Sequence, residues 1–298
     1  MLSLKKHIAE TFAHIRSPKG VTLVELMVAM VLAVILSAGI FGIHSVMQDS
    51  FRRETMVVAA QRNVRGTLNL IAQEIRMAGF DRRKTDLFGL TDITMDAGDN
   101  GTLSFTMDLG DGGSADNGSL DANETITYAL FDSTATPAAD NFDLGRTFNG
   151  TADLVAGTAP LVAEKIEALG FVYAFDDDND GQLDFNDDGD GIFEPSSGEG
   201  VYWAVDTDND NILDTYLDTD FDGDIDLDDT YLGAGLPSNV NMESIRAVMV
   251  MVLARSKGPD LGYKGNRAFA VGYRRVPGND SYRRRLLTTT VRCRNLGL

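Results

Sequence analysis

From Leu26 to Ile43 the chain carries no charged side chain. At helical rise that run is about 27 Å long, close to the hydrocarbon thickness of a bilayer. Directly before it stands Lys19-Gly20-Val21-Thr22-Leu23-Val24-Glu25, so one carboxylate lies just inside an end of the span. A carboxylate at membrane depth costs a few kcal/mol, and residues placed there mark function. A long helix is therefore the first element the fold must accommodate.

The stretch before it, Met1 to Gly20, is short and basic, with Lys5, Lys6, Arg16 and Lys19 opposed only by Glu10. It has no apolar core of its own, and no A-x-A-like site follows the hydrophobic run, where an ordinary secretory signal is cut. The small residue stands in front instead. Cutting after Gly20 keeps the apolar helix and creates a new amine at Val21; an uncleaved signal anchor is the alternative. In either case the basic leader stays cytoplasmic and the remainder is exported.

Past the span, Arg52, Arg53 and Glu54 mark the exit to water. Val57, Ala60, Val64, Leu68, Ile71, Ile75 and Ala78 then recur at three- and four-residue steps, which makes one apolar stripe on a continuing helix. Gly79 is a suitable stop. The expected helix thus runs from Val21 to Ala78, half membrane span and half spine of a domain. The organisation reads as leader 1–20, transmembrane half 21–46, amphipathic spine half 47–80 and head 81–298.

After Gly79 the pattern changes to short alternating runs. Thr102 to Met107, Glu124 to Phe131, Ile166 to Phe175, Ile245 to Ala254, Ala268 to Tyr273 and Leu286 to Arg292 read as strands. One long helix followed by strand-rich sequence indicates an α+β fold, an antiparallel sheet wrapped on the spine.

The formal net charge is -19, but it is concentrated. Residues 176–229 hold 19 Asp and two Glu with no Lys or Arg, which leaves about +2 for everything else. A nucleic-acid partner is not expected, because no long basic stripe exists beyond Arg274-Arg275 and Arg283-Arg284-Arg285. Cys293 is the single cysteine, so an intrachain disulfide is excluded and a buried apolar role is expected. His7, His14 and His44 all lie in the leader or the membrane helix. That removes Ser-His-Asp and Cys-His catalysis and His-based zinc sites from the head, and no enzyme activity is expected.

The acidic insert, 176–229, carries the local chemistry. Asp176, Asp178, Asp180, Gln182, Asp184 and Asp187 sit at places 1, 3, 5, 7, 9 and 12 of a D-x-D-x-D-G loop. Asp218, Asp220, Asp222, Asp224, Asp226 and Asp229 repeat that spacing. Alternate carboxylates on a tightly turned backbone converge on one hard cation, and Gly181 or Gly223 at place six permits the turn. Leu183 or Ile225 at place eight can anchor the loop to the core. A third copy uses Asp206, Asp208, Asp210 and Asp214, with Asn211 at the turn. A further run, Asp184, Asn186, Asp188 and Asp190, overlaps the first. The twelfth place is Asp and no helix pair flanks the loops, so they resemble dockerin or thrombospondin type 3 calcium loops more than a sensor EF-hand. The opposing possibility is a solvated, disordered face. The interleaved Phe185, Tyr202, Trp203, Tyr216 and Phe221 argue for a folded insert that calcium stabilises.

The segment Lys19-Gly20-Val21-Thr22-Leu23-Val24-Glu25-Leu26 resembles the signal of type IV prepilins and type II secretion pseudopilins. That resemblance implies a leader peptidase that cuts after Gly20 and methylates the new N-terminus, although Val21 stands where Phe is usual. It also implies that Glu25 neutralises the N-terminus of a neighbouring subunit during filament assembly. A buried ammonium and a buried carboxylate are each costly alone and far less so as a pair. Ala72-Gln73-Glu74-Ile75-Arg76-Met77-Ala78-Gly79-Phe80, the stretch Leu161 to Tyr173 and the tail Arg283 to Val291 resemble minor pilins of the PilW type, and the general plan is that of type II secretion minor pseudopilin J. Between Asp81 and Pro160 and across the insert the resemblance stops. The implied partners are other major and minor pilins, the prepilin peptidase/N-methyltransferase and inner-membrane lipid. A type II secretion pseudopilin and a membrane-anchored calcium-dependent adhesin are the alternative readings.

Overall fold

A computed structural model describes residues 20–109, 118–121, 123–132, 142–148, 154, 160–187, 189, 192–194, 199–260 and 262–296. The leader before Gly20, Asp188 and Asp190, and the side chains of Arg52, Arg53, Val57 and Ala60 lie outside the described residues. The chain divides into two compact units, 1–54 and 55–298.

Helix α1 spans Leu23–Ile75 and begins in the first unit. Its stretch Leu23–Gln48, 26 residues, is long and apolar enough to cross a membrane, and none of it is buried within the protein. The expected helix was Val21 to Ala78; the observed one is shorter at both ends because Thr22 caps its start and residues 76–79 form a turn. Gly79 closes that turn at φ 74°, and its amide donates to the Thr106 carbonyl at 2.9 Å. A side chain there would strike Leu296 and the Asn295 carbonyl.

Among the described residues the second unit contains thirteen strands: β1 Leu90–Asp92, β2 Leu103–Thr106, β3 Thr125–Asp132, β4 Phe142–Thr147, β5 Leu161–Ala163, β6 Ile166–Phe175, β7 Ala204–Val205, β8 Ile212–Tyr216, β9 Ala234–Asn241, β10 Ile245–Arg255, β11 Phe269–Val271, β12 Arg274–Val276 and β13 Arg284–Arg292. The first five form one sheet in chain order. A six-stranded sheet runs β13-β10-β6-β7-β8-β9, and β11 and β12 pair as a hairpin. All the pairings are antiparallel. Where one sheet was expected there are two, and the run Ala268 to Tyr273 is split by Gly272 at φ 56° into β11 and the turn toward β12.

The core explains why β6 and β10 are the longest apolar runs. Phe171, Tyr173, Val248, Val250 and Val252 face a cluster that contains Val64, Leu68, Ile71 and Ile75 of α1 together with Phe105, Tyr128 and Leu144 of the first sheet. On the opposite face Val172, Ala174, Met249, Met251 and Leu253 pack with Val271, Val276, Trp203, Leu217 and Ile225. Strands covered on both faces lose the alternation that a half-solvated strand shows. The α1 stripe therefore buries against the head, as its periodicity indicates. Glu74 ties it there: its carboxylate accepts from the Tyr128 hydroxyl at 2.5 Å and from Arg146 Nε and Nη2 at 2.9 Å. Cys293 is buried in the same cluster, and burial pushes its thiol up to about 12.

Candidate functional site

Two regions carry chemistry. At the helix start, Gly20 and Val21 precede the first helical residue and are exposed, with open space around the Gly20 Cα. Thr22 is the N-cap. Its Oγ1 accepts from the Glu25 amide at 3.2 Å, while Glu25 Oε2 accepts from the Thr22 amide at 3.1 Å and the Thr22 hydroxyl at 3.2 Å. This reciprocal capping box satisfies amides that a helix start otherwise leaves without partners. The Thr-x-x-Glu spacing at residues 22–25 is the sequence signal of this cap. Both bonds use Oε2.

The second region is the acidic segment, which is not a separate insert. It supplies β7 and β8 to the six-stranded sheet, and its carboxylates occupy three strand-end loops. The first follows β6, the second joins β7 to β8, and the third joins β8 to β9. Each loop repeats one backbone. Place four is left-handed in all three, at Asn179 (φ 59°), Asn209 (φ 65°) and Phe221 (φ 58°). Place six is left-handed again, at Gly181, Asn211 and Gly223. The first carboxylate of each loop accepts the place-six amide: Gly181 to Asp176 at 3.1 Å, Asn211 to Asp206 at 2.7 Å and Gly223 to Asp218 at 2.9 Å. Bending the chain around one buried carboxylate points the following ones inward.

Three carboxylate groups converge as a result: Asp176, Asp178 and Asp184; Asp206, Asp208 and Asp210; Asp218, Asp220 and Asp229. Within each group one oxygen per residue lies within 4.8 Å of the others, so each could hold a metal ion. Burial is the first cause that pushes Asp184, Asp206 and Asp218 upward, and Asp218 reaches about 6. Three clustered carboxylates, one in each group held toward its protonated form by burial, make a site where a hard cation can take a proton's place.

Other expected ligands stand elsewhere. Asp214 lies in β8 and both its oxygens accept from Thr207. Asp180 binds the Gln182 amide and side chain, Asp222 the Asp224 amide, and Asp226 the Asp228 amide. Asp187 Oδ1 accepts the Gly189 amide, and Asp224 is exposed. Place eight does anchor the loops: Ile225 is buried in the Trp203 cluster, and Leu183 packs against it. Tyr202 centres an aromatic group, 6.4 Å from Phe175, 5.3 Å from Tyr216 and 5.7 Å from Phe221 between ring centroids. A cavity of about 510 Å³ beside the first loop is lined by Asp178, Asp184, Phe185 and Tyr202.

An apolar, capped helix behind an exposed Gly-Val junction thus leads the chain, and its second unit carries the antiparallel sheets. Residues 15–41 match the family model of the prokaryotic N-terminal methylation motif. Residues 200–295 match the model described as Type IV Pilus-assembly protein W, and the two matches together support a minor pilin of the PilW type. The second match runs through the Asp206 and Asp218 loops, where the sequence alone had shown no family pattern. Among solved structures, a type IV-like pilin from Thermus thermophilus is similar at 11% identity and a TM-score of 0.39, covering 80% of this chain and 98% of its own. No curated protein matches the chain.

Proposed function

We propose that this chain is a minor pilin subunit that primes or tips a type IV pilus. It is inserted in the inner membrane with its leader in the cytoplasm, cut after Gly20 and then drawn into a filament that reaches the cell surface. The observation that carries the reading is the helix start. An open Gly20–Val21 junction suits a peptidase, and a carboxylate four residues on is already ordered by its own cap. Glu25 uses Oε2 for Thr22, so Oε1 is available to the ammonium of a neighbouring pilin, where pairing offsets the cost of burying either charge. The head's work is contact with other pilins, a structural role and not a catalytic one. Its acidic loops take calcium, at affinities of roughly 10⁻⁴ to 10⁻³ M for an extracellular module, and hold the strand ends in place.

The test has two parts. Mass spectrometry of mature material should find Val21 as the first residue, carrying one methyl group. Glu25→Ala should leave membrane insertion intact and abolish recovery in sheared filaments. A Glu25→Ala protein that still reaches the surface at the wild-type level would point to an anchored adhesin instead.

A further inference from the structure

The three loops share a backbone but differ at one atom. In the first, the Asp180 amide is shared between Asp176 Oδ1 at 3.1 Å and Asp178 Oδ1 at 3.0 Å. In the second, Asp206 Oδ1 accepts the Asn209 amide at 2.7 Å and the Asp210 amide at 3.3 Å. In the third, the equivalent Asp222 amide bonds to Asp220 alone, at 3.3 Å, and Asp218 Oδ1 is left without a hydrogen bond, although the Phe221 amide faces its carboxylate. Asp218 is only 1% exposed, so bulk solvent does not reach that oxygen. An oxygen of a buried carboxylate without a donor is costly, and it persists where something else satisfies it.

The surroundings indicate what that is. Asp229, also buried, brings a carboxylate within 4.8 Å of Asp218 and Asp220. It is fixed by the Thr219 amide at 2.6 Å and the Asp226 amide at 2.9 Å, so it cannot swing away from its like-charged neighbours. An all-oxygen, all-anionic set of this kind suits a hard divalent cation.

The third loop also carries a bulky residue where the others have Asn. Phe221 holds a left-handed φ of 58°, a conformation that costs a bulky side chain about 1–3 kcal/mol. Its ring stacks 5.5 Å from Tyr216 and meets Tyr202 edge-on. Gly200 makes room, since a Cβ there would lie 2.6 Å from that of Phe221. Four residues after Phe221, Ile225 of the same loop packs in the cluster of Trp203, the only tryptophan.

We infer that the loop Asp218–Asp229 is the primary cation site of the head, and that filling it seats Phe221 and Ile225 against Tyr202 and Trp203. This rests on the calcium reading above and adds an order to it: the third loop loads first and organises the aromatic group on which the first loop leans. Tyr202 provides the link, because its amide donates to the Asp184 carbonyl at 3.1 Å.

The experiment is a titration of the detergent-solubilised full chain, stripped with chelator, with calcium chloride alone. Trp203 emission and calorimetric heat are read together. Asp218→Asn is expected to raise the calcium midpoint of the Trp203 transition about tenfold or more, as removing one ligand charge from such a loop does. Because Asp218 is buried, Asp220→Asn, at an exposed position, serves as the variant that leaves the core intact, and it should shift the midpoint in the same direction. Asp176→Asn and Asp208→Asn should leave it within about twofold, since their loops fill later. The inference is overturned if the first- or second-loop variants move the transition and the third-loop variants do not, or if wild-type heat appears with Trp203 silent. No heat in any protein, wild type included, is a different outcome: it removes the calcium reading itself.

Discussion

Replacing Glu74 with Ala tests whether the spine helix is held to the head by charge as well as by its apolar stripe. Glu74 lies in the last turns of α1 and receives the Tyr128 hydroxyl from β3 and the Arg146 guanidinium from β4, so one carboxylate spans helix and two strands. Burial and the carboxylate together push the Tyr128 phenol well up; burial alone would lower Arg146, but Glu74 overcomes it and raises it. Truncation leaves a guanidinium and a phenol facing each other with their common acceptor gone. For a fully buried pair that costs about 3–5 kcal/mol. Glu74 and Arg146 each keep 19% of their side-chain surface exposed, so water recovers part of the loss. An expected cost is then about 2–3 kcal/mol, or a fall in Tm of about 5–10 °C for a unit of this size. Thermal unfolding of the detergent-solubilised chain, followed by near-ultraviolet circular dichroism, reads it. Adding Arg146→Met should restore part of the loss, because the orphaned cation is what costs most. A fall below about 2 °C, or a double variant as unstable as the sum of the singles, would show that the stripe alone holds the helix.

Two further outcomes follow from the head. Asp218 sits near 6 and ordinarily near 3.8, so between those pH values the folded chain binds a proton that the unfolded chain has released. Metal-free stability should therefore fall as pH rises from about 4 to 6, by roughly 2 kcal/mol from this residue, with Asp184 and Asp206 acting in the same direction. Asp280, which its hydrogen bond to Arg284 holds down, acts only below that window. Calcium should reverse the sign, because it needs the deprotonated carboxylates; melting curves at pH 5 and 7, with chelator and with calcium, decide this, and a metal-free protein more stable at pH 7 would count against it. Separately, Gly170→Ala should destabilise the head by about 2–3 kcal/mol or prevent folding, since its Cβ would meet the backbone of Gly272 at 2.6 Å and Val271 at 2.9 Å. Expression yield and urea unfolding check it, and a wild-type midpoint would show that the β11–β12 turn can move.

How much of this was legible depended on whether one physical demand acted on consecutive residues. A length fit to span a membrane asks for apolar character at every residue of Leu26 to Ile43, and two-sided burial acts on nearly every residue of β6 and β10, so those elements stand out in the sequence. β6 was found to the residue, and β10 to within one. β9 was not found: it is an edge strand, largely exposed, with Pro237 in its middle, and an edge imposes no apolar pattern. β8 was missed for the opposite reason, because Asp214 within it matched a ligand place and drew the segment Ile212 to Tyr216 into a loop. Glu74 gave no sign at all. Its partners are 54 and 72 residues away, and only the fold brings them to one carboxylate.

The acidic loops show where spacing ends and geometry begins. Alternation of Asp marks three turns, since places one and six do the same backbone work in each. It could not rank them, because the rank lies in one amide. The place-five N–H reaches the buried carboxylate in the first and second loops, shared with place three in the first, while in the third it reaches place three alone. That difference accompanies Phe221 at place four, where the other loops have Asn, and Phe221 can hold its left-handed backbone only because Gly200 lets it approach and Tyr202 and Tyr216 receive its ring. So the most acidic part of the chain is tuned by aromatic residues from outside its carboxylate pattern. On the proposed calcium reading, the loops couple the ion content of the surroundings to the edge of the larger sheet, where β8 and β9 lie.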